Sequence, residues 1–150
     1  MRKSFYIGYK GELEAYIYIW FSKAYRIVYV GETNTVNGVV GRANQHVTQP
    51  NGTLYSRVYD EGLNLNEIDD FVLLSYPLPR EKRFLSEDTG YRISIEYLVQ
   101  KMLTRKRKNV SRPFKCISNV NPGPFVNVNK IIKIAESISN DFIEIYSEED

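Results

Sequence analysis

Two apolar runs set three residues apart constrain this chain more than any other feature. They are "LEAYIYIWF", Leu13–Phe21, and "YRIVYV", Tyr25–Val30, with only "SKA" between them. Both are rich in β-branched and aromatic side chains, which fit a pleated, half-buried surface better than a helix. So short a polar break between such runs predicts an antiparallel hairpin. Gly31 ends the second run. Tyr18 and Tyr29 then stand on neighbouring strands with ten residues between them.

The rest of the chain supplies partners for that hairpin. "VVGRANQHV" carries Val39, Val40, Ala43 and Val47 at helical spacing and predicts a short helix, which Pro50, Asn51 and Gly52 break. Thr53–Asp70 has no clean period and reads as an irregular or partly helical insert. "DFVLLSYPL", Asp70–Leu78, predicts a third buried strand closed by Pro77 and Pro79, with the charged "REKRFLSEDTG" after it as a loop. Ile95, Leu98, Val99 and Met102 share one face of "YRISIEYLVQKMLTRKRK", which predicts a long helix. "SRPFKCISNVNPGPF" reads as a loop with three prolines. "NVNKIIKIAESIS" predicts a last helix with Asn127 or Asn129 as its cap, and "DFIEIYSEED" a short strand or fraying tail. The order is β-β-α-β-α plus a C-terminal helix or tail. The expected fold is α/β, a small three-stranded antiparallel sheet flanked by helices in a single domain over residues 1–150.

Composition narrows the function classes. With 150 residues, 43% hydrophobic and 25% charged, the chain reads as an ordinary soluble domain able to bury a core. No apolar run approaches the ~18 residues of a membrane span, and "MRKSFYIGYKGELE" lacks the apolar stretch of a secretory signal. Cys116 stands alone, which excludes a disulfide framework and a clustered-thiolate zinc site. A cytoplasmic location is the default expectation. Net charge is only +2, yet Lys101–Lys115 holds seven Lys or Arg and no acid, while Glu136–Asp150 holds six acids and no base. A basic run is either a solvated helix face or a phosphate contact.

Several polar residues break the apolar pattern. Arg42 and His46 lie four apart and share one face of the short helix. Glu96 falls at the margin of the long helix's apolar stripe, an uncomfortable place for a lone carboxylate unless it pairs with Arg92. Singly, each has an ordinary structural reading: strand tyrosines, a surface arginine, a histidine near a helix C-terminus. Together they offer a cation for a phosphate, a carboxylate for a hard divalent ion and groups that move protons, the minimum for cutting a phosphodiester.

That spacing resembles the GIY-YIG nuclease family. Tyr16–Tyr18, "YIY", stands for the first signature with Tyr16 replacing the usual glycine, and Tyr29–Gly31, "YVG", for the second. "RANQH" matches the family's arginine and i+4 histidine, and "SIEYLVQKML" its metal-binding glutamate. The resemblance covers about residues 12–109, leaving 110–150 as a C-terminal extension. It implies a DNA endonuclease in which Tyr18 activates water, Tyr29 orients the water or a phosphate oxygen, Arg42 neutralises phosphoryl charge and His46 relays the proton. Glu96 would hold one Mg²⁺ or Mn²⁺. A supporting asparagine is expected at Asn109, with Asn119 and Asn121 as rivals. An unperturbed phenol titrates near pH 10, so a nearby cation would have to lower Tyr18 before it acts as a base. Arg105, Lys106, Arg107 and Lys108 are expected to hold DNA. The alternatives are a non-catalytic nucleic-acid-binding module on the same scaffold and a protein-interaction domain using the acidic tail. Restriction, repair and mobile-element roles, DNA against RNA, and an oligomeric state all stay open.

Overall fold

The fold is described from a computed structural model, in which residues 4–6, 15–34, 53–86 and 88–148 are described. The hairpin is present as β2, Tyr16–Ser22, paired antiparallel with β3, Ile27–Thr33, after a short strand β1, Ser4–Tyr6. Helix α1, Thr53–Asp60, and a 3-10 turn at Leu65–Glu67 precede β4, Val72–Pro77. Then come α2, Lys82–Leu85, α3, Gly90–Lys106, β5, Lys115–Cys116, and α4, Asn129–Ser147. Among the described residues the strands form one sheet in the order β1-β4-β2-β3-β5.

The expected three-stranded antiparallel unit is its centre, with β2 between β3 and β4. The strand count was too low. β1 adds to β4 and β5 to β3, both in parallel, through three and two residue pairs. Strands this short carry no periodicity of their own; their partners define them. Two further boundaries move. "REKRFLSEDTG" is not wholly a loop, because Lys82–Leu85 closes a helical turn. "DFIEIYS" is neither strand nor tail: α4 runs through it, burying Ile131, Ala135, Ile138, Phe142 and Tyr146 at unbroken helical spacing. The residue before α4 is Val128, and no side chain caps it, so neither asparagine plays that part.

Every residue of β2 is buried because both faces of the sheet are covered. Ile17, Ile19 and Phe21 face one side with Val28, Val30 and Leu74, against Ile95, Val99 and Leu103 of α3 and Ile131, Ala135 and Phe142 of α4. Tyr16, Tyr18, Trp20 and Tyr29 face the other side, covered by Leu54 and Val58 of α1 and by Leu65, Ile68 and Phe71. The aperiodic stretch 53–70 is therefore the second layer over the tyrosine face. No helix among the described residues is long and apolar enough to cross a membrane.

Candidate active site

Beyond Val28 the β5 strand leaves β3. The Ile117 N–H donates to the Val28 carbonyl at 2.9 Å, and the next ladder position is taken over by a side chain. Val30 N–H donates to Ser118 Oγ at 3.1 Å. The gap that opens is a pocket of about 230 Å³ on the rim of the sheet. It is lined from both faces: Tyr18 and Tyr29 from the tyrosine side, Glu32 from the opposite side of β3, Ile93 and Glu96 from α3, and the chain from Ser118 to Asn121.

The two phenols owe their placement to register. Tyr18 lies directly opposite Gly31 across the hairpin. A Cβ at position 31 would sit 2.1 Å from Tyr18 Cζ and 2.2 Å from its hydroxyl oxygen. Only glycine lets the ring lie flat over the neighbouring strand with its hydroxyl above the peptide. The glycine ending "YVG" is a platform for a phenol rather than a turn residue, since β3 continues to Thr33.

Two staples hold the asparagine-bearing segment against α3. Ser118 Oγ donates to Gln100 Oε1 at 2.8 Å, and Gln100 Nε2 donates to the Ser118 carbonyl at 2.9 Å. At the other end the backbone of Gly123 lies so close that a Cβ there would be 2.2 Å from Ser94 Oγ and 2.6 Å from Ser94 N. Ser94 Oγ also accepts from Phe125 N–H at 3.0 Å. Asn119, Val120 and Asn121 span the interval between these fixings.

Glu32 has a partner that sequence reasoning missed. Arg92 Nε donates to Glu32 Oε2 at 2.7 Å, and the Arg92 side chain is only 2% exposed. Its Nη1 donates to the carbonyls of Phe84 at 2.8 Å and Ser86 at 2.6 Å. Asn34 Nδ2 donates to the carbonyls of Leu85 and Ser86, so these two side chains satisfy the end of α2. The i+4 pairing of Arg92 with Glu96 weighed from sequence is replaced by a link across elements. The only signal was an arginine on the apolar face of a helix.

Tyr18, Tyr29 and Glu96 thus line one pocket with Asn119 and Asn121. Asn109 is not on that lining. It is exposed in the 3-10 turn Arg107–Asn109 that follows α3, thirteen residues past Glu96 and roughly 20 Å along the helix direction. Arg42 and His46 lie outside the described residues. Of the basic run, Arg105 and Lys108 are exposed and Lys106 and Arg107 half-buried. Lys106 donates to Asn140. Arg107 lies near Cys116, where burial pushes the thiol pKa up against a Thr104 hydrogen bond and the Arg107 charge.

The donor set on the lining is oxygen: the Glu96 carboxylate, the amides of Asn119 and Asn121, and Glu32, already tied to Arg92. Among the described residues no three of His, Cys, Asp and Glu gather as a metal-ligating group. Such a set fits a hard divalent ion that keeps most of its waters and takes one or two carboxylates, and does not fit a stripped zinc site.

Comparison with known families gives a match over most of the chain. The family model described as the GIY-YIG catalytic domain covers residues 14–109. No curated protein and no solved structure matches the chain.

Proposed function

The chain belongs to the GIY-YIG family, whose fold is of nuclease type, and from that premise we propose that it is a metal-dependent endonuclease hydrolysing DNA phosphodiester bonds. The observation that carries the reading is the meeting of Tyr18, Tyr29 and Glu96, from two strands and a helix, on one pocket lining. Tyr18 takes the proton of the attacking water, its phenol held in place over Gly31. Tyr29 orients that water or a phosphate oxygen. Glu96 anchors a single Mg²⁺ or Mn²⁺. When bound, the ion supplies positive charge beside the phosphoryl oxygens. Arg42 neutralises the charge that develops there and His46 passes the proton on, both by resemblance alone. Asn119 or Asn121 takes the supporting role in place of Asn109, because both lie on the lining. Arg105 and Lys108, the exposed members of the basic run, hold flanking backbone.

A non-catalytic binding module on the same scaffold is the second reading. Glu96 argues against it, since an anion beside a phosphate site weakens simple binding. Incubation with supercoiled plasmid, with and without Mg²⁺, separates the two. Nicked or linear product is expected only with the ion. Glu96→Ala is expected to fold, since alanine favours the helix, and to retain DNA without cutting it. Cleavage by Glu96→Ala at the wild-type rate would sink the site assignment. DNA held but never cut by the wild type would favour the binding module.

A further inference from the structure

Glu32 lines the tyrosine pocket together with Glu96, yet no role assigned so far uses its charge. We propose that Glu32 is a positioning residue for the divalent ion: it accepts hydrogen bonds from the waters that Mg²⁺ or Mn²⁺ keeps, while Glu96 remains the direct ligand. Taking such an ion as the occupant rests on the nuclease reading above.

Register puts the carboxylate there. Side chains alternate along a strand, so Glu32 leaves β3 toward α3, while Gly31 before it carries the Tyr18 ring on the other face. Arg92 then fixes one oxygen, its Nε donating to Glu32 Oε2 at 2.7 Å. Arg92 cannot swing away, because its Nη1 is bonded to the Phe84 and Ser86 carbonyls and its side chain is buried. Asn34, two residues beyond Glu32, ties the same end of β3 to Leu85 and Ser86. The carboxylate is therefore locked in both backbone and side chain.

Only one of its oxygens is used in this way. Among the described residues Glu32 Oε1 receives no hydrogen bond, and the Glu32 side chain keeps 20% of its surface exposed. An arginine paired with a carboxylate frequently engages both oxygens through its planar fork. Here Nε takes one oxygen while Nη1 turns to the end of α2. An acceptor of set orientation is left at the pocket that Glu96 also lines. Packing alone does not account for it, since an apolar pair of similar size serves as well as a buried ion pair.

The chemistry of the ion supplies the use. Mg²⁺ gives up its waters reluctantly and keeps several of them, and their hydrogens need acceptors. A second carboxylate beside the single ligand meets that need, and its negative charge adds to the attraction. Outer partners of this kind are worth about 10–100-fold in metal affinity.

Mn²⁺ titrated into the full chain without DNA, with free ion followed by electron paramagnetic resonance, tests the role. Glu32→Gln keeps an oxygen for Arg92 Nε and removes the charge, and its Mn²⁺ Kd is expected to rise about tenfold or more. In plasmid cleavage the Mg²⁺ concentration for half-maximal rate should rise by a similar factor. The rate at saturating Mg²⁺ should stay within about threefold of wild type, because this outer partner acts through metal affinity. A carboxylate that serves only as counter-ion to Arg92 predicts the reverse, a lower melting temperature with an unchanged Mn²⁺ Kd. Should Glu32→Gln fail to fold by circular dichroism, Glu32→Asp replaces it. That variant keeps the counter-ion but withdraws the carboxylate by one carbon, with a rise in Kd again expected. Glu136→Gln, at an exposed position of α4, is the charge control and should leave the Kd unchanged. Equal Mn²⁺ affinity in Glu32→Gln and wild type, beside weakened binding in Glu96→Ala, overturns the role of Glu32 and leaves the nuclease reading intact. A chain that holds Mn²⁺, holds it more weakly in both variants and never cuts DNA loses the nuclease reading while the role of Glu32 stands. A wild type that binds no Mn²⁺ overturns both.

Discussion

A single methyl group at position 31 should remove most of the activity. In Gly31→Ala the new carbon would sit 2.1 Å from Tyr18 Cζ, whereas carbon atoms in contact stay ~3.5–4.0 Å apart. The ring must therefore retreat by roughly 1.5 Å. It has nowhere easy to go, because Tyr18 is only 2% exposed and packed beneath α1. Overpacking of this kind costs ~1–3 kcal/mol, and each kcal/mol lowers the melting temperature of a chain this size by ~2–4 °C. The protein should stay largely folded at 25 °C. Misplacing a reacting group by ~1 Å can cost ~10²-fold in rate, so single-turnover cleavage of saturating plasmid should fall at least that far. Circular-dichroism melting measures the stability loss alongside. Tyr18→Phe completes a cycle: if the methyl acts by moving the phenol oxygen, the double variant should cut no more slowly than Tyr18→Phe alone. Cleavage by Gly31→Ala within twofold of wild type, or losses that simply add, would refute the platform role.

Three other outcomes follow from side-chain contacts within the fold. Arg92→Met leaves Glu32 and the Phe84 carbonyl without their donor, while the Ser86 carbonyl keeps Asn34, and should cost about 3 kcal/mol in urea denaturation, with Arg92→Lys restoring only part because it lacks the planar fork. Gln100→Ala removes both bonds to Ser118, and should lower kcat more than it raises KM because Asn119–Asn121 lose a fixing; unchanged kcat would free that segment from any role. The Tyr76 hydroxyl donates to Asp141 at 2.7 Å, and burial first, then that carboxylate, raise its pKa above the usual 10.0. A raised folded-state value gives stability that is complete below pH ~10 and declines above it, so Tyr76→Phe should flatten the alkaline limb of a stability-pH curve.

The hairpin and the third strand were legible from their runs of β-branched and aromatic residues, and α3 from the helical spacing of its apolar face. The strands β1 and β5 were not, since three and two residues become strands only beside β4 and β3. In α4 the residues Phe142, Ile143 and Ile145 mimic strand alternation, and only the longer register from Ile131 to Tyr146 reveals the helix. The residue types of the candidate site could be read locally, but not which remote chain would reach it. Counting from Glu96 led to Asn109 at the far end of the helix, whereas Asn119 and Asn121 return to the lining because Ser118 and Gly123 are pinned to α3. Nor could the sequence distinguish an arginine pairing within its helix from one pairing with Glu32.

The way the sheet ends has a consequence for solubility. A row of unpaired strand amides is a template on which another chain can add and start aggregation. Here the described sheet finishes in strands of three and two residues, too short to guide a partner into register. Where β5 stops, the Ser118 hydroxyl occupies the Val30 amide and a charged Glu32 follows. The rim of β3 can thus stand open to a substrate without serving as a rail for a second copy of the chain.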